Sequence, residues 1–125
     1  MYSRAAASAY QRVDLESAPK TQIVERLFAR FAQDVDQARA AIAAKNIHEK
    51  HKMLDHAICI AVELKAALDF KAAPEMCANL EALYDFVIGR LTETNMTLKT
   101  KPLDQAAKVM IELAGAFGQA HASIK

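Results

Sequence analysis

The spacing of apolar residues constrains this chain more than any other feature. They recur three or four positions apart through four long segments, separated by polar or proline-bearing joints. In residues 18–45, Ile23, Leu27, Phe31, Val35, Ala38 and Ile42 fall on one helical face. In 47–69, Leu54, Ala57, Ala61, Leu64 and Leu68 form a heptad seam. Met76, Leu80, Leu83, Val87 and Leu91 do the same in 74–95, and Leu103, Ala106, Met110, Leu113 and Phe117 in 102–122. Pro19, Pro74 and Pro102 stand at segment starts, where a missing N–H costs nothing. The chain holds 26 alanines but only 3 glycines and 3 prolines, a mixture that favours helix throughout. Four helices on short links imply an all-α, antiparallel up-down four-helix bundle in one domain, each helix about 30–40 Å long. Residues 1–17 are too short and irregular for a fifth full helix. They read as an N-terminal arm with a short capping helix around Arg4–Gln11.

Several function classes are poorly served by these residues. With 16 basic against 15 acidic side chains there is no cationic excess for a nucleic acid, and Lys99 and Lys101 read as a solvated linker. No apolar run approaches the ~20 residues of a membrane span. Met1–Ser17 lacks the continuous apolar core and cationic start of a signal peptide, so a cytoplasmic protein with reduced, at least half-buried Cys59 and Cys77 is expected. Ser3, Ser8, Ser17 and Ser123 lie outside the bundle segments, which leaves no serine triad in the core. Gly89, Gly115 and Gly118 lie inside helices rather than in a phosphate-cradling loop, and no Glu-x-x-His marks a di-iron site. No catalytic residue and no cofactor is assigned. His48, His51 and Asp55 share a face within about 60° and form a candidate zinc or nickel set, but the lysines around them favour a solvated surface. His56 and His121 carry no functional reading.

The helices hold more apolar surface than one stripe requires. Ile58-Cys59-Ile60-Ala61-Val62, Ile23-Val24, Leu27-Phe28, Phe86-Val87-Ile88 and Val109-Met110-Ile111 widen all four. If the seams point inward, Ile60, Phe28, Ile88, Val109 or Ile111 approach the surface. Two readings stay open: a broad bundle core, or a surface groove for an apolar partner helix.

The third segment is specific. Asn79-Leu80-Glu81-Ala82-Leu83-Tyr84-Asp85-Phe86, followed by Arg90-Leu91 and Asn95, resembles the signature of the FliS family of flagellin export chaperones. Tyr2, Ala9-Tyr10, Val13 and Glu16-Ser17-Ala18 in the arm agree with it. So do Gln22-Ile23-Val24-Glu25 with Leu27-Phe28, and Leu54, Ala57, Glu63-Leu64 and Leu68-Asp69. The resemblance covers residues 1–95 and fades in the last helix. It implies a cytoplasmic, non-enzymatic chaperone. Such a protein binds the disordered C-terminal segment of flagellin, prevents premature polymerisation and aids delivery to the flagellar type III export apparatus. The partner surface expected on that basis is Tyr10, Val13, Ile23, Leu27, Phe28, Tyr84, Ile88 and Leu91, with Tyr84 and Ile88 at an edge of the third helix. Tyr10 and Val13 are further expected to cover the groove as a lid when flagellin is absent. The alternative is a self-associating helical adaptor, whose wide stripes bury against a second copy in a homodimer.

Overall fold

A computed structural model describes residues 18–124, with side-chain placement over residues 22–119. The arm, and with it Tyr10, Val13 and the lid expectation, lies outside the described residues. Four helices follow one another: α1 (Ala18–Ala43), α2 (Ile47–Ala66), α3 (Pro74–Thr97) and α4 (Lys101–Ile124). Each packs on two neighbours, α1 on α2 and α4, and α3 on α2 and α4, while among the described residues the backbones of the diagonal pairs stay apart. The fold is the all-α four-helix bundle that the periodicity implies.

The second and fourth seams are buried as spaced. Leu54, Ala57, Ala61, Leu64 and Leu68 on α2, and Leu103, Ala106, Met110, Leu113 and Phe117 on α4, are all in the core. The other two seams hold in part: Phe31, Val35 and Ala38 on α1 and Leu80, Val87 and Leu91 on α3 are buried as expected, while the remaining members give way to neighbours. On α1 the buried line is Val24, Phe28, Phe31, Val35, Ala38 and Ala41, so Ile23 is exposed and Leu27 and Ile42 are half-buried. The reason is geometric. Steps of four residues, as in Ile23, Leu27, Phe31 and Val35, rotate steadily around a helix of 3.6 residues per turn. Alternating steps of four and three hold one line along the neighbouring helices. On α3 the line is Cys77, Leu80, Tyr84, Val87, Leu91 and Thr94, which leaves Met76 and Leu83 half-buried. Phe28 and Ile60, expected near the surface, are both core residues, Ile88 and Val109 are half-buried, and Ile111 is exposed. Arg90 lies inside α3, with its guanidinium 5.6 Å from the centre of the Phe86 ring.

The turns follow from local chemistry. Lys45 takes φ 57° beyond the end of α1. Its N–H donates to the carbonyl of Ile42 at 3.1 Å and the Asn46 N–H to that of Ala41 at 2.8 Å, the two bonds of a Schellman stop. Asn46 then caps α2 by accepting from the Glu49 N–H at 3.1 Å. Between α2 and α3 the Asp69 side chain accepts from the Lys71 N–H at 3.0 Å, and Pro74 opens the next helix. Leu98 ends α3 at φ 62° with its N–H on the Thr94 carbonyl. A left-handed backbone costs a residue with a Cβ roughly 1–2 kcal/mol.

Candidate partner-binding groove

The seam between α1 and α4 is the most sparsely packed of the four. Along it Phe28, Phe31 and Val35 of α1 face Ala107, Met110 and Ala114 of α4 across a cleft of about 130 Å³. The cleft continues past Ala29 and Ala32 to Phe117 and Gly118. Its cause is side-chain size. Ala29, Ala32, Ala107 and Ala114 place methyl groups where a closed seam would carry leucines, and the larger rings lie beneath them. Phe28 and Phe117 meet in that floor with centroids 5.9 Å apart and planes tilted by 42°. A Cβ added to Gly118 would meet no atom within 4 Å, so crowding inside the bundle does not explain the glycine. On the rim, Ile111 is 68% exposed. An ion pair between Arg39 and Asp104 links α1 and α4 near one end.

The structure unites only part of the expected partner surface. Phe28 forms the groove floor, and Ile23, 54% exposed, lies on the same helix toward its start, with Leu27 half-buried between them. Tyr84, expected at an edge, is completely buried, as is Leu91. Ile88 is half-buried on α3, the helix diagonal to α1, and so lies apart from the groove. Ile111 reaches the surface as expected, whereas periodicity did not single out the alanines. Their signal was the coincidence of small residues on α1 with small residues on α4, which only the pairing of the two helices reveals.

Two polar residues, His56 and Cys59, differ from expectation. Asp34 is fully buried at the α1–α2 seam, accepts from Arg30 Nε at 3.1 Å and engages His56 Nδ1. His56, which alone suggested nothing, thus ties α2 to α1. Cys59 is exposed rather than buried. Cys77 is buried, donates to the Asp69 carbonyl at 3.2 Å, and has its thiol pKa pushed up by burial. His48, His51 and Asp55 are exposed, and among the described residues no three His, Cys, Asp or Glu side chains are placed to hold a metal ion. No described helix is long and apolar enough to cross a membrane.

The described residues thus form an all-helical bundle with an open apolar seam between α1 and α4. The comparison with known families is specific. The chain matches the family described as flagellar protein FliS over residues 2–124, and it belongs to that family. It is 32% identical to the flagellar secretion chaperone FliSB of Pseudomonas aeruginosa, covering 90% of this chain and 93% of that one. It is 30% identical to the flagellar secretion chaperone FliS of Salmonella typhimurium (95% and 92% covered) and 28% identical to that of Vibrio cholerae (93% and 88% covered).

Proposed function

We propose that this chain is a cytoplasmic chaperone that holds the C-terminal segment of flagellin in the α1–α4 groove, blocks its premature polymerisation and aids its delivery to the type III export apparatus. The observation that carries this reading is the apolar, alanine-walled seam with Ile111 exposed on its rim. An amphipathic helix needs an apolar trough with small residues on its walls, so that its own large side chains reach the floor. Phe28 and Phe31 supply that floor. Ile23 and Leu27 lie on the other flank of α1, toward α2 and outside the lining of this groove, and Tyr10 and Val13 of the arm are proposed to close over the bound segment or over the empty groove. Tyr84 and Leu91 act from the interior, by fixing α3 in the bundle, rather than by touching the partner. The function asks for no reaction and no cofactor.

The test is a titration of the purified protein with a peptide comprising the last ~40–80 residues of the cognate flagellin. Light scattering should show a one-to-one complex. Calorimetry should show a large negative heat-capacity change, as expected when a disordered segment folds and buries ~1,000–3,000 Å². A protein that dimerises alone and gives no heat with the peptide would instead be a self-associating adaptor.

A further inference from the structure

A second cleft lies at the pole of the bundle where α1 turns into α2 and α3 into α4, beyond the Arg39–Asp104 ion pair. Ala41, Ile42, Lys45, Ile47, Lys50 and Leu98 line a cleft of about 430 Å³ there. Its walls are mainly apolar, with Ile47 48% and Leu98 44% exposed. Three observations mark it as more than a gap between turns.

The first is Lys50, which is 3% exposed. Its ammonium donates to the Asn95 backbone carbonyl at 3.0 Å, and no carboxylate among the described residues pairs with it. An ammonium has three donors, and a buried charge is normally matched by an opposite one. The second is backbone strain. Among the described residues Lys45 and Leu98 are the two non-glycine positions with positive φ, and both line this cleft. Glycine or asparagine would fit either stop more easily. A leucine held there and half-exposed suits a contact that the free chain does not make. The third is charge. Lys45, Lys50, Lys52, Lys99 and Lys101 belong to the segments around this pole, against Glu49, Glu93 and Asp104, of which Glu93 is already paired with Arg90 and Asp104 with Arg39. The whole chain carries only +1, so the rest of it is net acidic.

We propose that this pole is a second docking surface, for a partner protein segment that carries a carboxylate one or two positions from a large apolar side chain. The apolar side chain enters between Ile47 and Leu98. The carboxylate takes the free donors of Lys50, with Lys45 as the outer cation. The surface goes beyond the flagellin groove and does not depend on it, so one chaperone can hold its cargo and a second protein together.

The probe is a random twelve-residue peptide library displayed on phage and selected against the full chain. Selected peptides should combine Leu, Ile or Phe with nearby Asp or Glu. Synthesised singly, they should lose at least tenfold in affinity to Lys50→Met and to Leu98→Asn, and should weaken as salt is raised. Lys50→Met keeps the buried alkyl chain. Leu98→Asn should raise the urea midpoint of the free protein, because asparagine tolerates the left-handed turn. Lost binding with retained or increased stability separates a docking role from a structural one. Four results would overturn the proposal. Selection could yield no acidic–apolar motif, or peptides indifferent to both substitutions. Peptides displaced by the flagellin segment and weakened by Ile111→Asp would belong to the α1–α4 groove. A concentration-dependent dimer that Lys50→Met and Leu98→Asn dissolve would assign the pole to a second copy of this chain.

Discussion

Replacing Ile111 by Asp separates the groove from the core. Ile111 is 68% exposed on the rim of the α1–α4 cleft, so the free bundle derives little from it. Fully burying such a side chain yields about 1.5–3 kcal/mol, and the exposed two-thirds leaves roughly 1–2 kcal/mol for a partner to gain. Aspartate removes that gain. It also sets a carboxylate against the incoming apolar stripe, where lost hydration costs about 1–3 kcal/mol more. The combined loss, roughly 2–5 kcal/mol, corresponds to a Kd weakened by about thirty-fold to several thousand-fold. Folding should hardly notice: the change at an exposed position is about 0.5 kcal/mol, with a similar term for helix propensity. Calorimetry with the flagellin C-terminal peptide reads the first number and urea unfolding the second. Val62→Asp is the matched control, being 48% exposed on α2, which does not pack on α4. Equal loss of binding in both variants, or an unfolded Ile111→Asp, would refute the assignment of the groove.

Other outcomes follow from buried polar atoms. Asp34→Ala should lower stability by about 1–3 kcal/mol in urea unfolding, because Arg30 and His56 lose the acceptor that joins α1 to α2. The Tyr84 hydroxyl is buried without a hydrogen-bond partner among the described residues. Tyr84→Phe should therefore leave the thermal midpoint unchanged or raise stability by up to about 1 kcal/mol, and a drop would show that the hydroxyl is satisfied. A thiol reagent should label exposed Cys59 at once and buried Cys77 only on unfolding. Burial raises the Cys77 pKa above its usual 9.0, so the unfolded chain releases this proton first. Native stability should then fall as pH rises above that value, and Cys77→Ala should flatten the fall.

The helices and two of the seams were legible because hydrophobic periodicity is a property of single segments. Leu54 to Leu68 and Leu103 to Phe117 alternate steps of three and four, and nothing competes with that line. On α1 two apolar lines run side by side, and sequence hydrophobicity cannot rank Ile23 against Val24 or Leu27 against Phe28. The neighbouring helices decide, through the line that stays in register with them. On α3 the inner line includes Cys77, Tyr84 and Thr94, which look less apolar than Met76 and Leu83 but pack inward. Thr94 can do so because its hydroxyl donates to the Arg90 carbonyl at 3.0 Å. The polar pairs were illegible for a different reason. Asp34 and His56 stand 22 residues apart, and their partnership exists only once α1 and α2 pair.

The groove itself follows from connectivity. Three of the four helix–helix seams join consecutive helices, and short turns hold those hairpins together whatever their side chains do. The α1–α4 seam alone closes the ring without a turn, so side-chain packing by itself holds it. It is therefore the place where alanine can replace leucine without unfolding a hairpin, and where a partner helix can press between two neighbours without straining a loop. Alanine at 29, 32, 107 and 114 first reads as helix propensity. In the folded chain the same four residues set the width of the trough, and substituting them with larger apolar side chains would close it from within.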